Sequence, residues 1–309
     1  MSVYTPVSKV QLEAFLHRYA IGTLIEHRGI SAGITNTNYA VTTASGDFIL
    51  TLFEHIGGRE VDYILGLQHH LAEKGVRCAA PEKDRKRCFS SDLNGRPAAI
   101  VRKVPGEVCK SPSIGQCAQI GAELARFHLA GRDYKARRSN PRGLVWWNSM
   151  PGRLGKFMGD ADRRLLADEI HLYRKLPLAS LPNGTLHADL FHDNVLFDGD
   201  SIGGIIDFDY ACHDILVFDL GVAINDWCIR AGGELDQEKV DALTEAYHRI
   251  RPMHDQEREA LPVMLRAAAL RFWLSRLYDR TYPASGELTF VKDPGFFRNM
   301  LLSRRNWSP

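Results

Sequence analysis

Long apolar runs, paired cysteines and a dominant charge sign are all missing from this sequence, and each absence removes a class of protein. No stretch approaches the roughly 18–20 consecutive apolar residues of a membrane-spanning helix. The start of the chain lacks the basic residues and apolar core of a secretory signal. The six cysteines (Cys78, Cys88, Cys109, Cys117, Cys212, Cys228) form no CxxC pair and no metal-ligand spacing, so we read them as reduced, mostly buried thiols of a cytoplasmic protein. Across 309 residues, 39 Lys and Arg face 37 Asp and Glu, a net charge of +2. That is far from the basic excess of a nucleic-acid binder. A short basic stretch, Arg132, Lys135, Arg137, Arg138 and Arg142, precedes Trp146 and Trp147. It reads as a solvated loop anchored by two tryptophans. There is no internal repeat, and a hydrophobic content of 45% excludes extensive disorder. Oligomeric state leaves no mark in the sequence.

What is present is a succession of strands followed by helices. Ser8 and Gln11 have capping-box spacing at the start of an amphipathic helix. Residues 24–30, 38–43 and 48–53 read as three strands, the first two joined by the polar turn 31–37. A helix over about 61–74 is stopped by Gly75. Two more strands flank the Asn94-Gly95 turn. Pro105-Gly106 breaks the pattern, and we place the domain boundary there, giving 1–104 and 105–309. The next helix is expected to begin at Ser111 and Pro112. It carries His128 on its apolar face, a position typical of a core histidine. The remainder is mainly helical, most clearly over about 260–279. Strands followed by helices point to an α+β fold.

The chemistry is concentrated in His187-Ala188-Asp189-Leu190-Phe191-His192-Asp193-Asn194 and, after a hairpin turn at Asp198-Gly199, Ile206-Asp207-Phe208-Asp209. The hairpin brings Asp189, Asn194 and Asp207 to one edge. From His187 to Ile229 there are nine aspartates and no Lys, Arg or Glu. Phosphoryl transfer from ATP uses such a set: an Asp to orient the acceptor hydroxyl and take its proton, and an Asn and an Asp to hold Mg²⁺. Asp193, Asp198 and Asp200 read as turn formers and caps.

HxDxxxxN followed by IDF resembles the catalytic and metal loops of the aminoglycoside-phosphotransferase and choline-kinase group, relatives of the protein kinases, with Asp209 where DFG has glycine. Val3–Ser8, Gly33–Tyr39, Phe48–Glu54, Ala269–Asp279 and Lys292-Asp293-Pro294 resemble, more narrowly and from end to end, the bacterial homoserine kinases of the aminoglycoside-phosphotransferase-like type. This resemblance implies a bilobal protein-kinase-like fold: an N-lobe antiparallel sheet with a helix and a mainly helical C-lobe, with ATP between them. It implies Mg²⁺-ATP-dependent phosphorylation of the L-homoserine side chain in threonine biosynthesis. Asp189 is then the catalytic base, Asn194 and Asp207 the metal ligands, His187 a loop organiser and Asp219 a structural carboxylate. Nucleotide contacts are expected from Gly29, Ser31, Gly33, Thr35 and Asn36 in the first hairpin. The adenine would meet the backbone of Arg102, Lys103 and Val104.

Two features depart from the kinase pattern. The first hairpin is not GxGxxG, and Thr51 stands where protein kinases carry a third-strand lysine. The homoserine kinases it resembles share TLFE there. Arg28 or Lys103 is the expected substitute on the phosphates, with Glu60 a weak counterpart of the usual helix glutamate. For the substrate, Arg276 is a candidate for the carboxylate, Asp209 or Asp226 for the ammonium and Trp227 for a pocket wall. A choline, ethanolamine or aminoglycoside kinase, and a non-catalytic nucleotide-binding regulator, are the alternative readings.

Overall fold

Alternation of buried and part-exposed residues along 37–52 builds the centre of the first sheet. The computed structural model describes residues 5–30, 35–283 and 293–307; Ser31, Gly33 and Lys292 lie outside them. Two compact units emerge: the residues up to Pro105 together with Gly203–Ile206, and Gly106–Ile202 with the described residues from Asp207 onward.

In the first unit, α1 (Lys9–Leu16) starts at the expected capping box, Ser8 and Gln11 exchanging side-chain and backbone bonds. Strands β1 (Leu24–Ile30), β2 (Thr37–Thr43) and β3 (Gly46–Leu52) precede α2 (Gly58–Glu73), with Gly75 at φ +82° just past the helix end. β4 (Ser91–Leu93) and β5 (Arg96–Arg102) turn at Asn94 and Gly95, both at positive φ, and complete an antiparallel sheet in the order β1-β2-β3-β5-β4. One face buries Tyr39, Val41, Phe48 and Leu50 against Leu12, Phe15 and Leu16 of α1. Val61 and Leu65 of α2 pack with Phe53 and Ala99. Each buried valine, leucine or phenylalanine among them contributes about 1.5–3 kcal/mol. Ile205 pairs with this unit, its N–H donating to the Arg77 carbonyl at 2.8 Å.

The second unit opens with β6 (Glu107–Val108) and α3 (Ile114–Ala130). The cap of α3 is Ser113, boxed with Gln116, rather than Ser111; a glutamine three residues on makes Ser113 the better cap. Then follow α4 (Leu144–Leu154), α5 (Asp160–Arg174), β7 (Asn183–Leu186), β8 (Val195–Asp198) and β9 (Ser201–Ile205), whose last residues enter the first unit. β10 (Cys212–Ile215), α6 (Leu216–Trp227), α7 (Gln237–Ile250), α8 (Asp255–Thr281) and α9 (Pro294–Arg305) complete it. β10 pairs with β7, and β8 lies between β6 and β9. No disulfide joins the six cysteines.

Tryptophans 146 and 147 lie in α4, not in a loop. Trp147 is buried, and Arg142 stacks 4.5 Å over Trp146. Among the described residues no helix is long and apolar enough to cross a membrane.

Helices α3 and α7 touch through Gly121. A Cβ there would lie 2.0 Å from the Leu243 carbonyl oxygen. Gly121→Ala is therefore expected to destabilise the protein by about 1–3 kcal/mol, the usual result of overpacking. Chemical denaturation measures it, and an unchanged midpoint would show that the two helices part freely.

Candidate active site

The loop between β7 and β8 carries Asp189, and it is strained. Ala188 has φ +61° and Asp207, just after β9, φ +59°. Non-glycine residues in this region cost roughly 1–3 kcal/mol each and need support from their surroundings. For Ala188 the support is Asp219, fully buried on α6, whose two oxygens accept the N–H groups of His187 at 2.8 Å and Ala188 at 2.7 Å. His187 packs edge-on against Phe208, with centroids 4.9 Å apart. Farther along α6, Asp226 accepts from the backbone N–H and Nδ1 of His192, and Trp227 Nε1 donates to the Leu190 carbonyl at 2.9 Å. One helix thus fixes the loop at three points.

Asp189 itself is held from two sides. Asn194 Nδ2 donates to its carbonyl at 2.8 Å and its Oδ2 at 3.3 Å, and Arg271 Nη1, from α8, lies 3.2 Å from Oδ1. Burial raises the Asp189 carboxyl, while the charges of Arg271, His187 and Arg276 pull it back. With its amide nitrogen spent on Asp189, Asn194 has its side-chain oxygen left to ligate. Desolvation, then the carboxylates of Asp209, Asp189 and Asp193, push the Asp207 carboxyl well above the usual range. Asp207 is nonetheless exposed, so the repulsion is the firmer cause. The N–H of Asp209 donates to Asp207 Oδ1 at 3.3 Å.

Such concentrated negative charge on oxygen donors fits a hard divalent cation. Among the described residues no group of three or more His, Cys, Asp or Glu is placed to hold a metal ion. One amide and one carboxylate make a partial ligand set of the kind that phosphate oxygens and water complete.

Sequence reasoning missed two arginines. Arg271 is buried beneath Asp189, and Arg138, read as solvated, donates from Nη1 to the carbonyls of Asp209 and Ala211 at 2.6 and 3.0 Å, tying down the segment after Asp207. Both act over more than 70 residues of chain, where local patterns carry no signal.

The substrate candidates divide. Arg276 and Asp226 line one cavity of about 630 Å³, with Phe191, His192, Asp193 and Phe297. Asp226 is already engaged by His192, which weakens it as an ammonium acceptor. Asp209 lies beside Asp207 rather than among the residues lining that cavity. Trp227 does not wall the pocket: it is fully buried, and its indole serves the catalytic loop.

In the first unit, Gly29 pairs with Tyr39 inside the sheet. Asn36 Oδ1 accepts the Glu54 N–H at 3.3 Å, and Thr35 precedes it at the turn. The Arg102 and Lys103 N–H groups donate to the carbonyls of Ala80 and Asp47 at 2.8 and 3.1 Å, so these two donors are not available to adenine. The Arg102 side chain pairs with Glu82 at 2.7 Å, and Val104 is buried. Thr51 Oγ1 donates to Asn38 at 2.8 Å, so this hydroxyl is engaged within the sheet. Arg28 and Lys103 meet at a small cavity of about 90 Å³, with Glu26 and Asp47.

His128 is a core histidine. Its Nδ1 lies 2.7 Å from the Tyr247 hydroxyl and its Nε2 3.2 Å from Asp219. Burial lowers its pKa below the ordinary 6.5, opposed by the bond to Asp219. Below that pH the unfolded chain takes up a proton that the folded chain refuses, so stability falls as pH drops, by at most about 1.4 kcal/mol per pH unit. Between pH 7 and 5, His128→Gln is expected to lose less stability than the wild type. Equal slopes in urea titrations at the two pH values would show that His128 is not a source of the loss.

A strained HxD loop fixed by a buried helix aspartate, with an Asn and an Asp at one hairpin edge, defines a phosphotransferase. The chain belongs to the phosphotransferase enzyme family, whose sequence profile matches residues 26–253. It is 46% identical over 301 residues to the homoserine kinase of Methylobacillus flagellatus, covering 97% of this chain and 94% of that one. To the homoserine kinase of Neisseria meningitidis it is 42% identical, covering 98% and 99%. Solved structures share the fold: an amicoumacin kinase in complex with AMP-PNP and Ca²⁺ (TM-score 0.74, 13% identity, 97% of this chain and 92% of that one) and a microcompartment-associated aminopropanol kinase (TM-score 0.69, 18% identity, 96% and 94%).

Proposed function

We infer that this chain is a homoserine kinase. It transfers the γ-phosphoryl group of ATP to the side-chain hydroxyl of L-homoserine, and the product, O-phospho-L-homoserine, feeds threonine biosynthesis. Identity of 46% across nearly the whole of both chains carries this reading, and the catalytic loop supports it. Asp189 takes the hydroxyl proton and orients the oxygen. Asn194 and Asp207 would hold the Mg²⁺, and the ion would supply charge compensation at the phosphates. Six cysteines without a disulfide suit the reducing cytoplasm in which we place the reaction.

ADP release, measured against L-homoserine, choline, ethanolamine, L-serine and kanamycin, tests the reading. Strong turnover with L-homoserine alone is expected. Turnover of another alcohol instead would keep the kinase and discard the substrate.

Arg28 and Lys103, which meet at one cavity in the first unit, stand in for the missing third-strand lysine on the phosphates. Alanine at either is expected to raise the KM for ATP severalfold; an unchanged KM in both variants removes them from the nucleotide site.

A further inference from the structure

Helix α8 carries two guanidinium groups whose hydrogen-bonding capacity is not used up within the second unit. Arg271 is 3% exposed. One of its nitrogens meets Asp189, its guanidinium lies 4.4 Å from the Tyr210 ring centroid and 3.7 Å from that of Phe272, and its Nη2 is buried with no partner among the described residues. Arg276 Nε is likewise buried with no partner among the described residues, while the residue lines the 630 Å³ cavity. Leaving guanidinium donors buried and unmade is expensive, because their desolvation goes uncompensated.

Arg142 and Arg276 both act on Arg271. Asp189 and Asp279 both feel Arg271 and Arg276. A carboxylate would satisfy the open donors, and guanidinium is the side-chain group best matched to a carboxylate. Arg276 lies five residues on along the same helix, a rise of about 7.5 Å, near enough for its charge to act on Arg271.

We propose that Arg271 and Arg276 form the receptor for the substrate's α-carboxylate, so that the enzyme phosphorylates a hydroxy amino acid and rejects the amino alcohol of the same length. The proposal rests on the homoserine reading and adds the group by which the substrate is told apart. Because Arg271 also touches Asp189, seating the carboxylate and aligning the base become one event. An analogue without the carboxylate leaves both donors empty. Sites built around such a polar partner reject the analogue lacking it by large factors, about 10⁴–10⁵ in the best cases.

The test compares kcat/KM for L-homoserine with that for 3-amino-1-propanol, the same chain lacking only the carboxylate. The wild type is expected to prefer homoserine by about 10³-fold or more. Arg276→Gln should shrink that ratio by about 10²-fold, through KM for homoserine rather than KM for ATP, and Arg276→Lys should restore part of it. Arg271→Gln should in addition lower kcat on both substrates. A wild-type enzyme that accepts both substrates within tenfold overturns the proposal, and this comparison needs no variant to fold. So does an Arg276→Gln enzyme that keeps the full ratio, or one in which only the KM for ATP rises, which would place the arginine on phosphate. Turnover of neither substrate, with another alcohol of the panel accepted, overturns the homoserine reading and the receptor with it. Strong homoserine turnover with an unmoved ratio overturns the receptor alone.

Discussion

Asp189→Asn is expected to lower kcat for L-homoserine by about 10²–10⁴-fold, the usual worth of a positioned general base, while ATP still binds. Two groups hold this carboxylate in place. Asn194 grips its carbonyl and Oδ2, and Arg271 faces Oδ1 at 3.2 Å. Asparagine keeps the shape but cannot take a proton, and it deprives Arg271 of its charged neighbour. Removing one partner of a buried pair costs up to about 3–5 kcal/mol. The part-exposed Asp189 lowers that figure here, so a drop in melting temperature should accompany the loss of turnover. Calorimetric titration with a nucleotide separates the two effects. Near-normal turnover would show that the proton leaves by another route and that Asp189 only orients.

The second large effect is expected at Asp207. Asp207→Ala should abolish the dependence of nucleotide affinity on Mg²⁺ and lower turnover by about 10²–10³-fold or more, as for loss of a group that stabilises developing charge. Asp209, Asp189 and Asp193 all repel this carboxylate. Without a cation, the variant should therefore fold at least as stably as the wild type, an outcome that a purely structural aspartate would not give. Tight, Mg²⁺-dependent ATP binding in the variant would remove Asp207 from the metal site.

How far the site was legible follows the distance over which each contact acts. Asp189, Asn194 and Asp207 stand within twenty residues of one another on a loop and a hairpin, and their order and spacing were enough to single them out. The Ser8 capping box and the Asn94-Gly95 turn are equally local and appear where expected. The Ser111 start of α3 failed by two residues because Pro112 suggested a first helical position, while the Ser113–Gln116 pair outweighed it. Arg271 and Arg138 were not singled out for the site, because nothing near them in the chain says which loop they will reach. Asp226 and Trp227 read from the sequence as substrate contacts. Their positions seven and eight residues after Asp219 put them two turns along the same helix, which is why they fasten the loop that Asp219 begins. The hinge is illegible for another reason: backbone groups leave no trace in residue type, so nothing in the sequence says that the N–H groups of Arg102 and Lys103 pair with Ala80 and Asp47.

The hydroxyl of Thr51, bonded to Asn38, also decides how this enzyme responds to chemical probes. Protein kinases present a strand lysine at the nucleotide, and nucleotide analogues armed with an amine-seeking electrophile exploit it. On this strand such a reagent finds no amine, only an alcohol whose proton is already given to a neighbour. An amine-seeking label built for that strand position must turn to another amine, and Lys103 is the one the nucleotide reading proposed above offers.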